Sequence, residues 1–289
     1  MLPGTTLRGK RHLRRPAFLK LTAASPNLAC AARAVLVKLA PFPLPAVSMP
    51  SGSIASPPSA SAPCTIGFIG LGIMGSAMAA RLLQAGFRVK GHDVAPAARE
   101  RHAALGGLAA ASAREAAEGA GVLVVMVRDA AQARAVLLDA DCGAVHSLAR
   151  GSVVWLACTV APADAKSLAA DLAAHGLPMV DGPVSGGATG AEAGTLSIMA
   201  GGDTAAVERL RPVMAACGGK IFHVGEAGAG SGIKLINQIL TASHIALSAE
   251  AVSLCRRLAI DPDLMIEVVT QSAGNSVQFQ KRAPRMAHG

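Results

Sequence analysis

Aromatic rings and local acidity are what this sequence has least of: no tyrosine, one tryptophan and six phenylalanines among 289 residues, and no Asp or Glu in the first 64. So few rings leave little on which to stack nucleobases, which argues against a single-stranded nucleic-acid groove. The six cysteines (Cys30, Cys64, Cys142, Cys158, Cys217, Cys255) form no CxxC pair and no paired histidine spacing. Neither a zinc site nor a disulfide framework is indicated, and they read as buried free thiols of a reducing compartment. No apolar run reaches the ~20 residues of a membrane span, so no membrane partner is expected. A formal net charge of +9 suggests polyanion binding until it is located: eight basic residues lie within 1–64, leaving 19 basic against 18 acidic side chains over the other 225. That balance removes the electrostatic case for nucleic acid.

What is present is apolar material, 52% of residues against 16% charged, enough for one or two globular domains. Residues 1–64 take no part in it. They are rich in Arg, Ala, Ser and Pro and end in the low-complexity segment PSGSIASPPSASAP, which can build no core. The composition fits a transit peptide for a mitochondrion or plastid. Other readings stay open: a twin-arginine signal at Arg14-Arg15, whose spacing is one residue too long and broken by Pro16; a start at Met49; or a disordered basic arm on a cytoplasmic protein.

The chain is organised around Thr65–Gly75, TIGFIGLGIMG. Ile66, Phe68 and Ile69 predict a buried strand and residues 76–83 a helix, joined by Gly70-x-Gly72-x-x-Gly75. Gly70 permits the tight turn, Gly72 lets a pyrophosphate approach the backbone, and Gly75 lets helix and strand pack closely. The pyrophosphate would rest on the N–H groups of the helix start. A second strand, 87–92, ends at Asp93, 18 residues beyond Gly75, near the ~20 expected of the carboxylate that binds the adenosine ribose of NAD. Its charge repels a 2′-phosphate, and Val94 with Ala95 offers no cation to receive one, so NAD is preferred to NADP. A helix N-cap before Ala95-Pro96 is the structural alternative, compatible with the first.

Further strands are expected at 121–127, 152–157, 177–180, 195–200 and 220–224, with a helix at 204–217. Strands alternating with helices predict an α/β fold with a Rossmann-type, mostly parallel sheet and helices on both faces. Met126 and Val127 would end their strand over the cofactor. Cys158-Thr159 would reach the same edge, Cys158 as a packed thiol rather than a nucleophile. Asp181–Gly187, DGPVSGG, reads either as a nest for a substrate carboxylate or as a plain loop. After Gly225–Gly232 the alternation stops and residues 233–257 form one helical pattern. This divides the chain into a tail (1–64), a dinucleotide domain (65–229) and the start of a helical domain (230–289). Lys234, Asn237 and Gln238 share a face of that helix, while Ile236, Ile239 and Leu240 are expected to be buried. By spacing alone Lys234 is an ordinary solvated lysine.

GFIGLGIMG, DGPVSGG with AEAGTLSIMAGG behind it, and GAGSGIKLINQ stand in this order from Thr65 onward. Together they resemble the three signatures of the β-hydroxyacid dehydrogenase family, which includes 3-hydroxyisobutyrate dehydrogenase. Ser272–Ser276, SAGNS, with Phe279 is similar to the branch acting on L-threonate. The resemblance implies NAD bound by Gly70, Leu71, Gly72, Ile73, Met74, Gly75, Asp93, Met126 and Val127, with Thr159 by the nicotinamide. It also implies a small hydroxy-acid carboxylate held by Ser185, Gly186 and Gly187, orientation of that substrate by Asn237, and Lys234 as catalytic acid/base. No metal is implied.

Three departures from the family pattern bear on this. Arg128 follows Met126-Val127 where the family has proline, and Gln238 replaces a common asparagine. The family's helical domain also runs well past the position of Gly289 and carries a further Lys-Asp pair, so the chain reads as a C-terminally truncated fragment. A full-length form is expected to be a homo-oligomer that buries the long helix, and apolar surface left bare would favour aggregation. Two functions are thus in view: NAD-dependent oxidation or reduction of a small 3-hydroxy acid, with L-threonate leading, or a catalytically impaired dinucleotide-binding module.

Overall fold

Residues 65–289 are described by a computed structural model; the tail, and with it the transit-peptide reading, lies outside the described residues. Strand and helix alternate as β1 (Thr65–Ile69), α1 (Ile73–Gln84), β2 (Arg88–His92), α2 (Pro96–Ala104), β3 (Leu108–Ala109), α3 (Ala113–Ala117), β4 (Val122–Val125), α4 (Ala130–Leu138), β5 (Val153–Leu156), α5 (Pro162–Ala174), β6 (Met179–Asp181), β7 (Val184–Ser185), α6 (Gly187–Ala193), β8 (Ser197–Gly201), α7 (Thr204–Cys217) and β9 (Lys220–Gly225). Then come α8 (Ala229–Arg257), α9 (Pro262–Thr270) and α10 (Val277–His288). None of the described helices is long and apolar enough to cross a membrane.

The sheet runs β3-β2-β1-β4-β5-β6 in parallel, then turns over at β8, which is antiparallel to β6 and β7 and parallel to β9. Burial on both faces explains why the central strands are continuous apolar runs. Ile66, Phe68, Val124 and Trp155 face Met78 and Leu82 of α1 and Leu210 and Met214 of α7. Leu123, Val125, Val154 and Leu156 face the other way, onto Ala116, Leu137, Leu168 and Leu172 of α3, α4 and α5. The chain reverses its winding between β1 and β4, whose carboxyl ends therefore open a crevice.

The segment expected to be a loop or nest is partly strand. β6 and β7 are one strand interrupted at Gly182-Pro183, both lying against β8 through Asp181↔Gly201 and Val184↔Ile198. The sole tryptophan fastens the interruption: Trp155 Nε1 donates to Gly182 O at 2.8 Å, while Met199 N donates to Pro183 O at 3.1 Å.

The long helix departs from expectation. Ile236, Ile239 and Leu240 are 58, 61 and 53% exposed rather than buried. Its inward stripe starts instead with Gly230, Ser231 and Lys234. A methyl group at Gly230 would collide with the carbonyl oxygens of Asp181 and Met199, so a bare position at 230 is what allows α8 to come this close to the sheet. Hydrophobic periodicity says which residues share a stripe but not which stripe meets the sheet. Farther along, Val252 packs with Phe279 and Ala283 of α10.

Candidate active site

Gly70 follows β1 with φ +95°, and its N–H donates to His92 O at 2.8 Å. A side chain there would collide with Met126 O. One at Gly75 would collide with Gly70 O and lie 3.1 Å from Phe68 Cε1, so α1 can leave β1 this sharply only from a bare position. Gly72 differs: a methyl there would meet nothing within 4 Å. It is also the N-cap of α1, with no side-chain cap and no acidic residue in the first turn. Ile73 beside it is exposed. The positive end of α1 therefore faces open space.

Asp93 stands directly after β2, and α2 takes Ala95 rather than Asp93 as its N-cap. Its Oδ1 accepts Ala95 N at 2.8 Å at the entry to α2, and its Oδ2 accepts Leu71 N at 2.7 Å, which ties the glycine turn to the end of β2. A cation does lie close, contrary to the reading of Val94 and Ala95 alone: Arg99 Nη1 donates to Asp93 O at 2.6 Å. Met126, Val127 and exposed Thr159 follow β4 and β5 at the same carboxyl edge. Cys158 is a packed thiol, pushed up to about 11 by burial. Arg128 points outward and pairs with Asp129 at 3.3 Å.

The second group forms where α8 crosses β7. Lys234 is 7% exposed, its Nζ donates to Val184 O at 2.7 Å, and burial lowers its pKa from the ordinary lysine value. Asn237 Nδ2 donates to Ser185 Oγ at 3.5 Å. Gly186 and Gly187 follow with φ +141° and +67°, and a methyl at Gly187 would meet nothing. Gln238, one turn beyond Lys234, is exposed.

What places Lys234 is a residue to which sequence reasoning attached no role. Asp181, at the end of β6, is fully buried, and its Oδ1 and Oδ2 accept Gly228 N at 2.9 Å and Ser231 N at 2.7 Å. It caps α8 from across the fold, because the helix's own N-cap, Gly228, has no side chain to do so. The available signal was a long helix starting in a glycine run without Ser, Thr, Asn or Asp at its cap, together with a carboxylate closing an apolar strand. Burial raises the Asp181 pKa, against the pull of the Ser231 and Gly228 N–H groups.

Residues 65–225 match the family described as the NAD binding domain of 6-phosphogluconate dehydrogenase, and residues 228–289 the NAD-binding family of NADP-dependent 3-hydroxyisobutyrate dehydrogenase. An L-threonate dehydrogenase of Cupriavidus necator is 43% identical over 225 residues, 78% of this chain and 75% of the relative. An NAD-dependent L-serine dehydrogenase of Pseudomonas aeruginosa is 39% identical over 73% of this chain and 70% of its own. Among solved structures, a 3-hydroxyisobutyrate dehydrogenase from Salmonella typhimurium superposes with a TM-score of 0.70 at 42% identity, covering 78% of each chain.

Proposed function

The chain belongs to the β-hydroxyacid dehydrogenase family, and from that membership we propose that it interconverts a small 3-hydroxy acid and its carbonyl form with NAD, L-threonate or a similar sugar acid being the leading substrate. The observation that carries the reading is the meeting of Lys234, Asn237 and Ser185, with the ammonium buried against Val184 O.

In this reading Ser185, Gly186 and Gly187 hold the substrate carboxylate and Asn237 orients its hydroxyl end. Neutral Lys234 takes the hydroxyl proton as the carbon gives up hydride, and in the reverse direction the ammonium returns that proton to the forming alkoxide. Desolvation makes the neutral amine accessible below the usual lysine range. Gly70, Leu71, Gly72, Ile73, Met74, Gly75, Asp93, Met126, Val127 and Thr159 would hold the cofactor; the uncapped start of α1 and the open space at Gly72 fit a pyrophosphate. NAD, when bound, supplies the hydride acceptor and donor. We divide the described residues into a cofactor domain (65–229) and helical residues (230–289). The same reading makes the protein a homo-oligomer through α8, supported by exposed Leu235, Ile236, Ile239, Leu240 and Leu247.

Incubated with NAD and L-threonate, L-serine or 3-hydroxyisobutyrate, the protein should form NADH fastest with L-threonate. Nucleotide binding without NADH from any of the three would leave the silent dinucleotide-binding module in its place. The glycines give an independent check. Gly72→Ala should weaken NAD binding at an unchanged melting temperature, because the methyl enters only the cofactor's space. Gly75→Ala should cost about 1–3 kcal/mol of stability through overpacking. Equal melting temperatures and NAD affinities for the two variants would rule out this division of roles.

A further inference from the structure

Helix α6 is the least self-sufficient element beside the site. It has seven residues, GATGAEA, and stands between Gly186 and Gly194, which both have positive φ. A helix this short and rich in glycine does not hold itself together in water, so its place comes from what packs on it. Leu196 lies beneath it, with Cδ2 at 3.0 Å from where a methyl on Gly186 would sit and 3.3 Å from one on Gly190. Ala191 is buried in the same cluster as Met78 and Leu82 of α1. Arg81, on the third turn of α1, closes the far end. A methyl on Gly194 would come within 2.7, 2.8 and 3.0 Å of Arg81 Nε, Nη2 and Cζ, so the guanidinium lies across the bare Cα of the α6 C-cap. Nε also donates to Ala216 O, in the last turn of α7, at 3.5 Å, and Nη1 donates to Gln84 Oε1 at 3.0 Å. Arg81 is absent from the ion pairs among the described residues. Its charge faces the carbonyl ends of two helices, where a cation is favourable.

We propose that Arg81 is a positioning residue for the hydroxy-acid substrate: by clamping the end of α6 between α1 and α7, it keeps the turn Ser185–Gly187 in the shape that receives the carboxylate. The proposal rests on reading Ser185, Gly186 and Gly187 as the carboxylate's place, and deepens it. Upstream, that turn is held by the pairing of Val184 and Ser185 with β8. Downstream it runs straight into α6, so an unanchored α6 leaves two consecutive glycines free to move. A turn ordered on folding does not have to be ordered by the substrate, and binding is tighter by that difference. Helix α1 thus carries the glycine turn at one end and, about 12 Å along from Ile73, the clamp on the substrate turn. Sequence spacing does not reveal the arrangement, since Ala216 stands 135 positions from Arg81.

Steady-state kinetics with the best of the three acids at saturating NAD, and calorimetric titration of NAD and then of that acid, test this on the full chain, R81A, R81K and G194A. R81A should raise KM and Kd for the acid about 5- to 30-fold, the cost of making the substrate order one backbone residue. Its kcat and NAD affinity should not change, because Lys234 and Asn237 stand on α8 and the glycine turn lies at the other end of α1. R81K keeps the aliphatic stem and the charge and should recover most of the loss. G194A drives a methyl into the guanidinium from the opposite side and should reproduce the weak acid binding of R81A; it carries the test if R81A does not fold. Acid binding unchanged in R81A and G194A overturns the proposal alone. So does a joint fall in kcat, NAD affinity and melting temperature that R81K fails to rescue, the mark of a purely structural residue. A wild type that binds NAD but none of the three acids overturns the proposed reaction and the proposal together.

Discussion

Replacing Lys234 by methionine should lower turnover about 100- to 10,000-fold, the range of a general acid/base, while the protein still folds and binds NAD. Among the described residues the ammonium donates to Val184 O alone, and it is buried, so its removal deletes proton transfer without opening the sheet. In the wild type, alcohol oxidation should rise with pH as Lys234 loses its proton, at a pH below the ordinary lysine range because desolvation lowers its pKa. The same shift has a sign in stability. A lysine whose pKa is lower folded than unfolded penalises folding fully below the folded value, and the penalty is gone above the unfolded value. The denaturant midpoint of the wild type should therefore climb relative to Lys234→Met as pH rises through that interval. Wild-type turnover in the methionine variant would end the acid/base assignment, and parallel stability profiles would show that the buried amine is not titrating as argued.

Asp181→Ala should do comparable damage from farther away. It leaves Gly228 N–H and Ser231 N–H buried with no acceptor. At about 1–3 kcal/mol for each orphaned donor the loss is about 2–6 kcal/mol, a large part of the 5–15 kcal/mol typical of a domain. With the cap gone, the first turn of α8 loses its place against Gly201 and Met199, and Lys234 with it. Asp181→Asn keeps one acceptor and should lose roughly half as much. Turnover should fall in both variants while NAD binding holds, since Asp93 and the glycine turn make no bond to Asp181. Because burial raises the Asp181 pKa, its contribution to stability is full below the ordinary aspartate value and lost as pH rises through the folded value. From acid toward neutral pH the wild type should therefore lose stability relative to Asp181→Asn. Chemical denaturation of both variants across that range measures this, and an alanine variant as stable and active as the wild type would show that the cap is dispensable.

Legibility in the sequence followed the reach of the interactions. The glycine turn could be read because Gly75, Gly70 and Phe68 meet within one strand-helix unit and the positive φ of Gly70 is a local demand, although the close approach of Met126 O to Gly70 comes from β4. Helix α7 was expected at 204–217 and is found at Thr204–Cys217, where apolar periodicity agrees with the Asp203 side chain capping Ala205 and Ala206 N–H. The two-residue strand β7 was hidden because it exists only by pairing with Ser197 and Ile198 of β8. Lys234 looked like any solvated lysine in a helical pattern, and the family resemblance gave it a role before its burial was known. The carboxylate that positions it had no local mark, since its partners lie 47 and 50 residues away.

By itself, then, the sequence determined the alternating α/β architecture and the glycine turn, because each follows from short-range backbone geometry or from a motif of fixed spacing. The tertiary structure alone decided which stripe of α8 faces the sheet, that Asp181 caps that helix across the fold, and that Arg99 returns beneath Asp93. Those outcomes depend on which surfaces can approach closely enough to exclude water and satisfy buried donors, a property of the assembled chain that no single segment carries.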